Sequence, residues 1–251
     1  LLLRNRVALA ASLLAVALVL TATLVSHEQR RSLMQAREHY QAMVDEQFKA
    51  QPDRHPHRMV HYGQFVFRPL SPLAFFDFGV DAYTGNTLFL EGHRQNSANF
   101  ADVRQSSLLM RFGQLSPAFV LQTLVPLLIV FLAFASVARE REGGNLRLLL
   151  SQGVSGAQLL FGKWIGHTGI ALAVMVPAAI ALTLSAAFGA SDAAAVIWTI
   201  AVYALYLMGW VTLSILVSAW AQRGRDALLL LVGIWIVGVM LIPRTAPGLA
   251  Q

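Results

Sequence analysis

The chain contains no cysteine, which excludes disulfide bridges and thiolate metal sites alike. Charge is also scarce. Only 13% of the 251 residues are Asp, Glu, Lys or Arg, against 56% apolar residues, whereas a soluble domain carries about 25% charged residues. Three catalytic signatures are missing too: a G-x-x-x-x-G-K-[ST] phosphate loop, a G-x-S-x-G turn and an H-E-x-x-H helix. No enzyme motif is left.

What the chain has in abundance is apolar runs. A span needs about 20 mostly apolar residues to cross a bilayer core of roughly 30 Å. Five runs qualify: Val7–Val25, Pro117–Ala138, Trp164–Phe188, Val196–Trp220 and the shortest, Ala227–Ile242, whose end Pro243 marks. The first could be a cleaved signal peptide, but it is long and lacks a clear A-x-A-like site, so it reads as a retained signal anchor. The fold class expected is an all-α polytopic membrane protein with a small α+β extracytoplasmic domain. Residues 1–26 form span 1 and 27–115 the outer domain. Residues 116–243 hold spans 2–5, and 244–251 begin a further outer segment.

The basic residues of the short loops set the orientation, because lysine and arginine prefer the cytoplasmic side. Arg4 and Arg6 precede span 1. Arg139, Arg141, Arg147 and Lys163 lie between spans 2 and 3, and Arg223 and Arg225 between spans 4 and 5. The loop around Gly189–Ala195 carries only Asp192. These loops agree on a cytoplasmic N-terminus. The net charge of +6 is thereby explained by membrane topology, with no call for nucleic acid.

In the outer segment, residues 27–50 lack proline and glycine and space Leu33, Tyr40, Met43, Val44 and Phe48 as a helix face, so span 1 should continue outward as an amphipathic helix. Pro52, Pro56, Pro69 and Pro72 then break long helices. Turns and short strands follow, with Phe65, Phe67, Phe75, Phe76, Phe78, Tyr83 and Phe89 as a small core and a helix from Ser97 back to the membrane.

Some residues invite chemistry. His55, His57, His61 and His93 suggest a zinc or copper site. Pro56, however, argues against regular helical presentation and no acidic ligand completes a set, so they read as polar surface histidines with no metal and no cofactor. Asp77 and Asp81 flank Gly79, which favours a turn over acid–base chemistry. Lys163 and His167 lie four apart at the start of span 3 and form a candidate intramembrane polar site. Gly162 and Gly166 make a G-x-x-x-G pair suited to close helix contact. Pro126 and Pro177 fall inside spans 2 and 3, where proline can kink a helix.

The stretch "REREGGNLRLLLSQGVSGAQ", residues 139–158, interrupts two apolar runs. Its two glycines break the helix. Asn145 should N-cap a short helix, Leu146–Gln152, with Leu146, Leu149 and Leu150 on one face and Arg147 and Ser151 opposite. Gly153 ends that helix, and Ser155 with Gln158 forms a capping box for the next. A helix of about 10 Å is too short to stand alone, so its leucine face needs a partner or the lipid boundary.

This stretch resembles the cytoplasmic loop of ABC-2 type permeases, roughly E-x-E-x-G-[ST]-L-x-x-L-L-[ST]-x-P-[VI]-S-R-x-x-[LI]-x-x-G-K. Glu140, Glu142, Gly144, Leu146, Leu149, Leu150, Ser151, Val154, Ser155, Gly162 and Lys163 match; Asn145, Gly153 and Gly156 depart from it. The outer stretch from His55 to Asn96 is similar to a subgroup of these bacterial permeases with a large extracytoplasmic insertion after span 1. The resemblance implies six spans, the sixth expected beyond Gln251, in a dimer of permease subunits in the bacterial inner membrane. It also implies a cytoplasmic ATPase held through Arg139, Glu140, Arg141, Glu142, Gly143, Gly144, Leu146, Leu149, Leu150 and Ser155. Glu140 and Glu142 are expected to pair with Arg139, Arg141 or basic groups of a partner. Export is the leading function. The alternatives are mechanotransmission to a periplasmic partner without transport, and a metal-dependent membrane enzyme built on the outer histidines.

Overall fold

The computed structural model describes residues 6–79, 86–93, 98–99, 115–243 and 245. The expected helix from Ser97, the positions Arg4, Asp81 and Tyr83, and the segment after Pro243 other than Thr245 lie outside them. The elements in chain order are α1 (Arg6–Lys49), α2 (Pro56–Tyr62), β1 (Gln64–Phe67), β2 (Thr87–Leu90) and β3 (Ala98–Asn99). Then come α3 (Pro117–Phe119), α4 (Val125–Ala133), α5 (Ala138–Glu142), α6 (Asn145–Ser151), α7 (Gly156–Ala187), α8 (Ala193–Trp220) and α9 (Gly224–Trp235). Among the described residues, five helical segments are long and apolar enough to cross a membrane: Arg6–Lys49, Pro117–Glu142, Gly156–Ala187, Ala193–Trp220 and Gly224–Leu241. The chain is a multi-pass, mostly helical membrane protein. It divides into two compact units, one of residues 1–21 with 118–251 and one of residues 22–117.

α1 is one unbroken helix of 44 residues, as its lack of helix breakers requires, and from residue 22 onward it belongs to the second unit. Its inward stripe differs from the expected one. Leu33, Met34, Arg37, Gln41, Val44, Asp45 and Phe48 are half-buried, while Tyr40 and Met43 stay exposed. The polar members of that stripe hold the following backbone. Gln41 Oε1 accepts the Phe67 amide at 2.9 Å and Arg37 donates to the Arg68 carbonyl at 2.6 Å. Asp45 accepts from Gln41 and Gln64 at 2.8 and 2.7 Å. β1, β2 and β3 form a three-stranded antiparallel sheet in that order, with Phe65 opposite Phe89. Those two rings lie 4.7 Å apart, and Leu70, Ala74, Phe75 and Phe76 are buried in the same unit. Asp77 accepts the Gly79 amide at 2.8 Å, a structural turn as expected.

In the first unit, the Pro117–Glu142 segment is the hub. Of its most apolar window 44% is buried, against 22–28% for the other four spans, so α7, α8 and α9 pack around it. Lipid tails are as apolar as leucine, so close approach of small residues and hydrogen bonds must hold the bundle together. Ala133, Ala171, Ala178, Ser214 and Ser218 occupy those close approaches and are buried. Gly162 and Gly166 do not: both are exposed among the described residues.

Two π-helical turns mark the span bends. Val120–Leu124 ends two residues before Pro126, and Ile236–Leu241 ends two residues before Pro243. Proline has no amide hydrogen and its ring collides with the carbonyl four residues back, so a wider turn relieves the conflict. The Gln122 carbonyl, which Pro126 cannot reach, accepts from Tyr206 Oη on α8 at 2.8 Å. Trp235 Nε1 on α9 donates to the neighbouring Thr123 carbonyl at 2.9 Å. Pro177 is carried inside α7, which continues through it.

Candidate functional site, an elbow between spans

The segment from Ala138 to Lys163 leaves the bundle and returns to it. α5 carries four charged side chains in a row, Arg139 to Glu142, and each of the last three is fixed to a different part of the bundle. Glu140 Oε1 lies 2.7 Å from Lys163 Nζ on α7, both side chains largely shielded at 27% and 19% exposure. Arg141 donates to the carbonyls of Ala219 and Ala221, at the C-terminal end of α8. Glu142 Oε1 accepts the Gly224 amide at 3.0 Å, at the first turn of α9. Helix C-termini offer unpaired carbonyls and partial negative charge, and N-termini unpaired amides and partial positive charge. Adjacent residues of opposite sign therefore cap the two helix ends that flank the Ala221–Arg223 turn.

These partners correct the sequence expectation. Glu140 and Glu142 pair neither with Arg139 nor with Arg141; Arg139 is exposed. The carboxylates reach Lys163 and a backbone amide, and Arg141 reaches carbonyls, because those are the bare polar groups at the ends of the neighbouring spans. Ser218, which the sequence did not single out, accepts the amides of Val137 and Ala138 at 3.0 and 3.2 Å. These amides enter α5 just after the turn that follows α4, where no earlier carbonyl claims them.

Beyond α5 the chain turns at Gly143–Gly144. Gly144, at φ 75°, is the N-cap of α6, so Asn145 is the first helical residue and not the cap. At the other end the Gly153 amide donates to the Leu150 carbonyl and the Val154 amide to the Leu149 carbonyl. With Gly153 at φ 88°, this is the double bond pattern of a glycine-terminated helix. The capping box is present as expected: Ser155 Oγ accepts the Gln158 amide, and Gln158 Oε1 accepts the Ser155 amide at 2.9 Å. α6 has no buried residue. Leu146 and Leu149 are half-buried, while Leu148 and Leu150 are exposed by 56% and 46%. The unsatisfied apolar surface is thus centred on Leu148 and Leu150, and Leu148 is the residue that the wheel of the expected face left out.

Lys163 and His167 are engaged by different groups. Lys163 is engaged by Glu140. His167 is buried, with Nδ1 2.8 Å from the Lys163 carbonyl and Nε2 3.2 Å from the Leu132 carbonyl. It ties α7 to the hub span.

In the other unit, Pro56 starts α2 instead of preventing it: proline is suited to the first helical position. His57, His61 and His93 come together with their ligand atoms within 4.8 Å of one another, all exposed. His55 stands apart as the N-cap, its Nδ1 3.2 Å from the His57 amide. This trio is the group of metal-ligating side chains found among the described residues.

The family model described as "ABC-2 family transporter protein" matches residues 2–251. A relative from Stutzerimonas stutzeri, named "Probable ABC transporter permease protein NosY", is 31% identical over 123 residues, 47% of this chain and 45% of the relative. One of the same name from Pseudomonas aeruginosa is 35% identical over 80 residues, 26% of this chain and 29% of the relative. Each match takes in less than half of the relative's own length.

Proposed function

The chain belongs to the ABC-2 family of transporter proteins, and from that premise we propose that it is the permease subunit of an ATP-driven exporter. In this reading it hydrolyses nothing itself. A cytoplasmic ATPase subunit grips α6, a second permease subunit completes the membrane pore, and substrate leaves the cytoplasm or the inner leaflet of the bacterial inner membrane. The N-terminus is cytoplasmic. The loop 139–158 and the turn Ala221–Arg223 lie on that same side, as their basic residues require, and the direct contacts of Arg141 and Glu142 support it.

The observation that carries the reading is the wiring of α5. A lever resting only on lipid would dissipate a push. Here a displacement of α6 reaches α7 through Glu140 and Lys163, α8 through Arg141, and α9 through Glu142. Hydrogen bonds to charged groups contribute about 1.5–3 kcal/mol each, enough for spans to move with the elbow. Gly144 and Gly153 at either end of α6 let it rotate as a unit against α5 and α7. The exposed Leu148 and Leu150 offer the surface for the ATPase.

A second reading, mechanotransmission without transport, is favoured by one feature. α1 is a single helix of 44 residues, about twice the length needed to cross the membrane, and its outer half is hydrogen-bonded along the sheet-bearing segment through Arg37, Gln41 and Asp45. Breaking α1 at an exposed outer position, with proline for Ala36, separates the two. Transport through the spans survives that change, whereas transmission along α1 is lost.

The test of the leading reading is isolation of the tagged chain from its native membranes. It brings down an ATP-binding-cassette subunit in equal amount, and vanadate-sensitive ATP turnover accompanies the complex. A chain recovered without any such subunit, from membranes in which its own function is intact, contradicts it.

A further inference from the structure

We propose that His57, His61 and His93 form a three-imidazole binding site for a borderline divalent cation, Zn2+ or a neighbour in the first transition row. This does not rest on the permease reading, because the site lies wholly within the unit of residues 22–117.

The argument begins with α2. Pro56 fixes the first helical residue, and the His55 ring takes the His57 amide as a cap. His57 and His61 are then four apart and share one helix face, with ring centroids 4.8 Å apart. His93 arrives from the far end of β2. The Gly92 amide donates to the Val60 carbonyl at 3.0 Å, which pins the turn after β2 to α2. A side chain at Gly92 would place its Cβ 1.9 Å from Val60 Cγ1, so any other residue there would force the Val60 side chain to shift. His93 itself sits at φ 65°, a conformation uncommon for a residue other than glycine. That backbone brings its ring to 5.2 Å from His61 and 5.7 Å from His57.

Chemistry narrows the ligand. Three imidazoles and no carboxylate suit zinc, copper or nickel and give calcium or magnesium nothing to hold. Nitrogens about 2.0–2.1 Å from a tetrahedral ion lie about 3.3 Å from each other. The ligand atoms here are all within 4.8 Å, and the rings are exposed, so rotation about their side-chain bonds closes the gap without moving the backbone. Three protein ligands leave a fourth position for water or an exogenous group, the arrangement of an exchangeable or reactive site and not of a closed structural one.

The experiment uses the full chain in detergent, purified by a tag that contains no histidine and stripped with chelator. Titration calorimetry with Zn2+ should show one ion per chain, bound at about micromolar Kd or tighter. His57→Gln, His61→Gln or His93→Asn should each weaken binding at least tenfold; asparagine is chosen because it tolerates the positive φ. His55→Asn keeps a capping acceptor and removes an imidazole, and should leave Kd within about threefold. Co2+ in the unaltered chain should give the visible absorption of a four-coordinate site, which tests the geometry without any variant. Absence of Zn2+ binding, binding that survives the three substitutions, or a six-coordinate Co2+ spectrum would overturn the assignment.

Discussion

Lys163 on α7 and Glu140 on α5 form an ion pair of 2.7 Å at the mouth of the elbow. Glu140 Oε2 is buried beside it without a hydrogen-bond partner, so the carboxylate depends on the lysine for compensation. Removing one member of a shielded pair costs more than removing both, because a lone charge stays behind. Lys163→Met should therefore lower the Tm of the purified chain and its ATP-driven activity more than the double change Lys163→Met with Glu140→Gln. A thermal melt of all four chains of the cycle measures this, and additive effects would show the pair to be mere surface charge.

Among the described residues, Ser218 supplies the acceptor for two amides at the start of α5, those of Val137 and Ala138. Ser218→Ala leaves both buried groups without it, at about 1–3 kcal/mol for an unsatisfied group. Loss of stability of that size is expected in a denaturant or thermal titration. Ser214→Ala, on the same helix with an unpartnered buried hydroxyl, should be neutral or stabilising.

The π turn before Pro126 makes a conditional prediction. Tyr206→Phe removes the hydroxyl held by the Gln122 carbonyl and should cost about 1 kcal/mol. Pro126→Ala returns an amide able to take that carbonyl, so in its background Tyr206→Phe should cost much less. Equal costs in both backgrounds would show that the tyrosine serves some other group.

Orientation is read by single cysteines in this cysteine-free chain. Membrane-impermeant labelling of spheroplasts should modify Gln47→Cys and Ala190→Cys, all at exposed positions, and spare Gln152→Cys and Gln222→Cys until the membrane is opened. Labelling at Gln152→Cys from outside reverses the topology.

The spans, the short helix and the capping box were legible because each depends on residues close together in sequence: some twenty apolar residues, two glycines, Ser155 with Gln158. The partners of Arg141 and Glu142 were not, since they lie about eighty residues away and are backbone groups, which carry no sequence signature. The inner stripe of α1 was misread for a related reason. Arg37, Gln41 and Asp45 face inward to satisfy other groups' hydrogen bonds, and a search for apolar periodicity passes over them in favour of Tyr40 and Met43. Pro56 was read as a breaker although its place was at a helix start. The pinning of Gly92 to Val60, which carries His93 to α2, is a tertiary contact that no local rule contains.

The central claim is that α6 is the handle of the elbow, and Leu150→Glu tests it most directly. Leu150 is 46% exposed, so the change leaves the fold of the free chain intact, and insertion and Tm should match the parent. Burying a leucine is worth about 1.5–3 kcal/mol, and an unpaired carboxylate in the same interface costs several more. At about 1.4 kcal/mol per tenfold, association with the ATPase subunit should weaken by at least about a hundredfold, and co-purification and ATP turnover should be lost together. Arg147→Ala should be far milder. If the Leu150→Glu chain retains its ATPase and couples like the parent, residues 145–151 are a turn resting on the lipid surface and the account of the elbow is wrong.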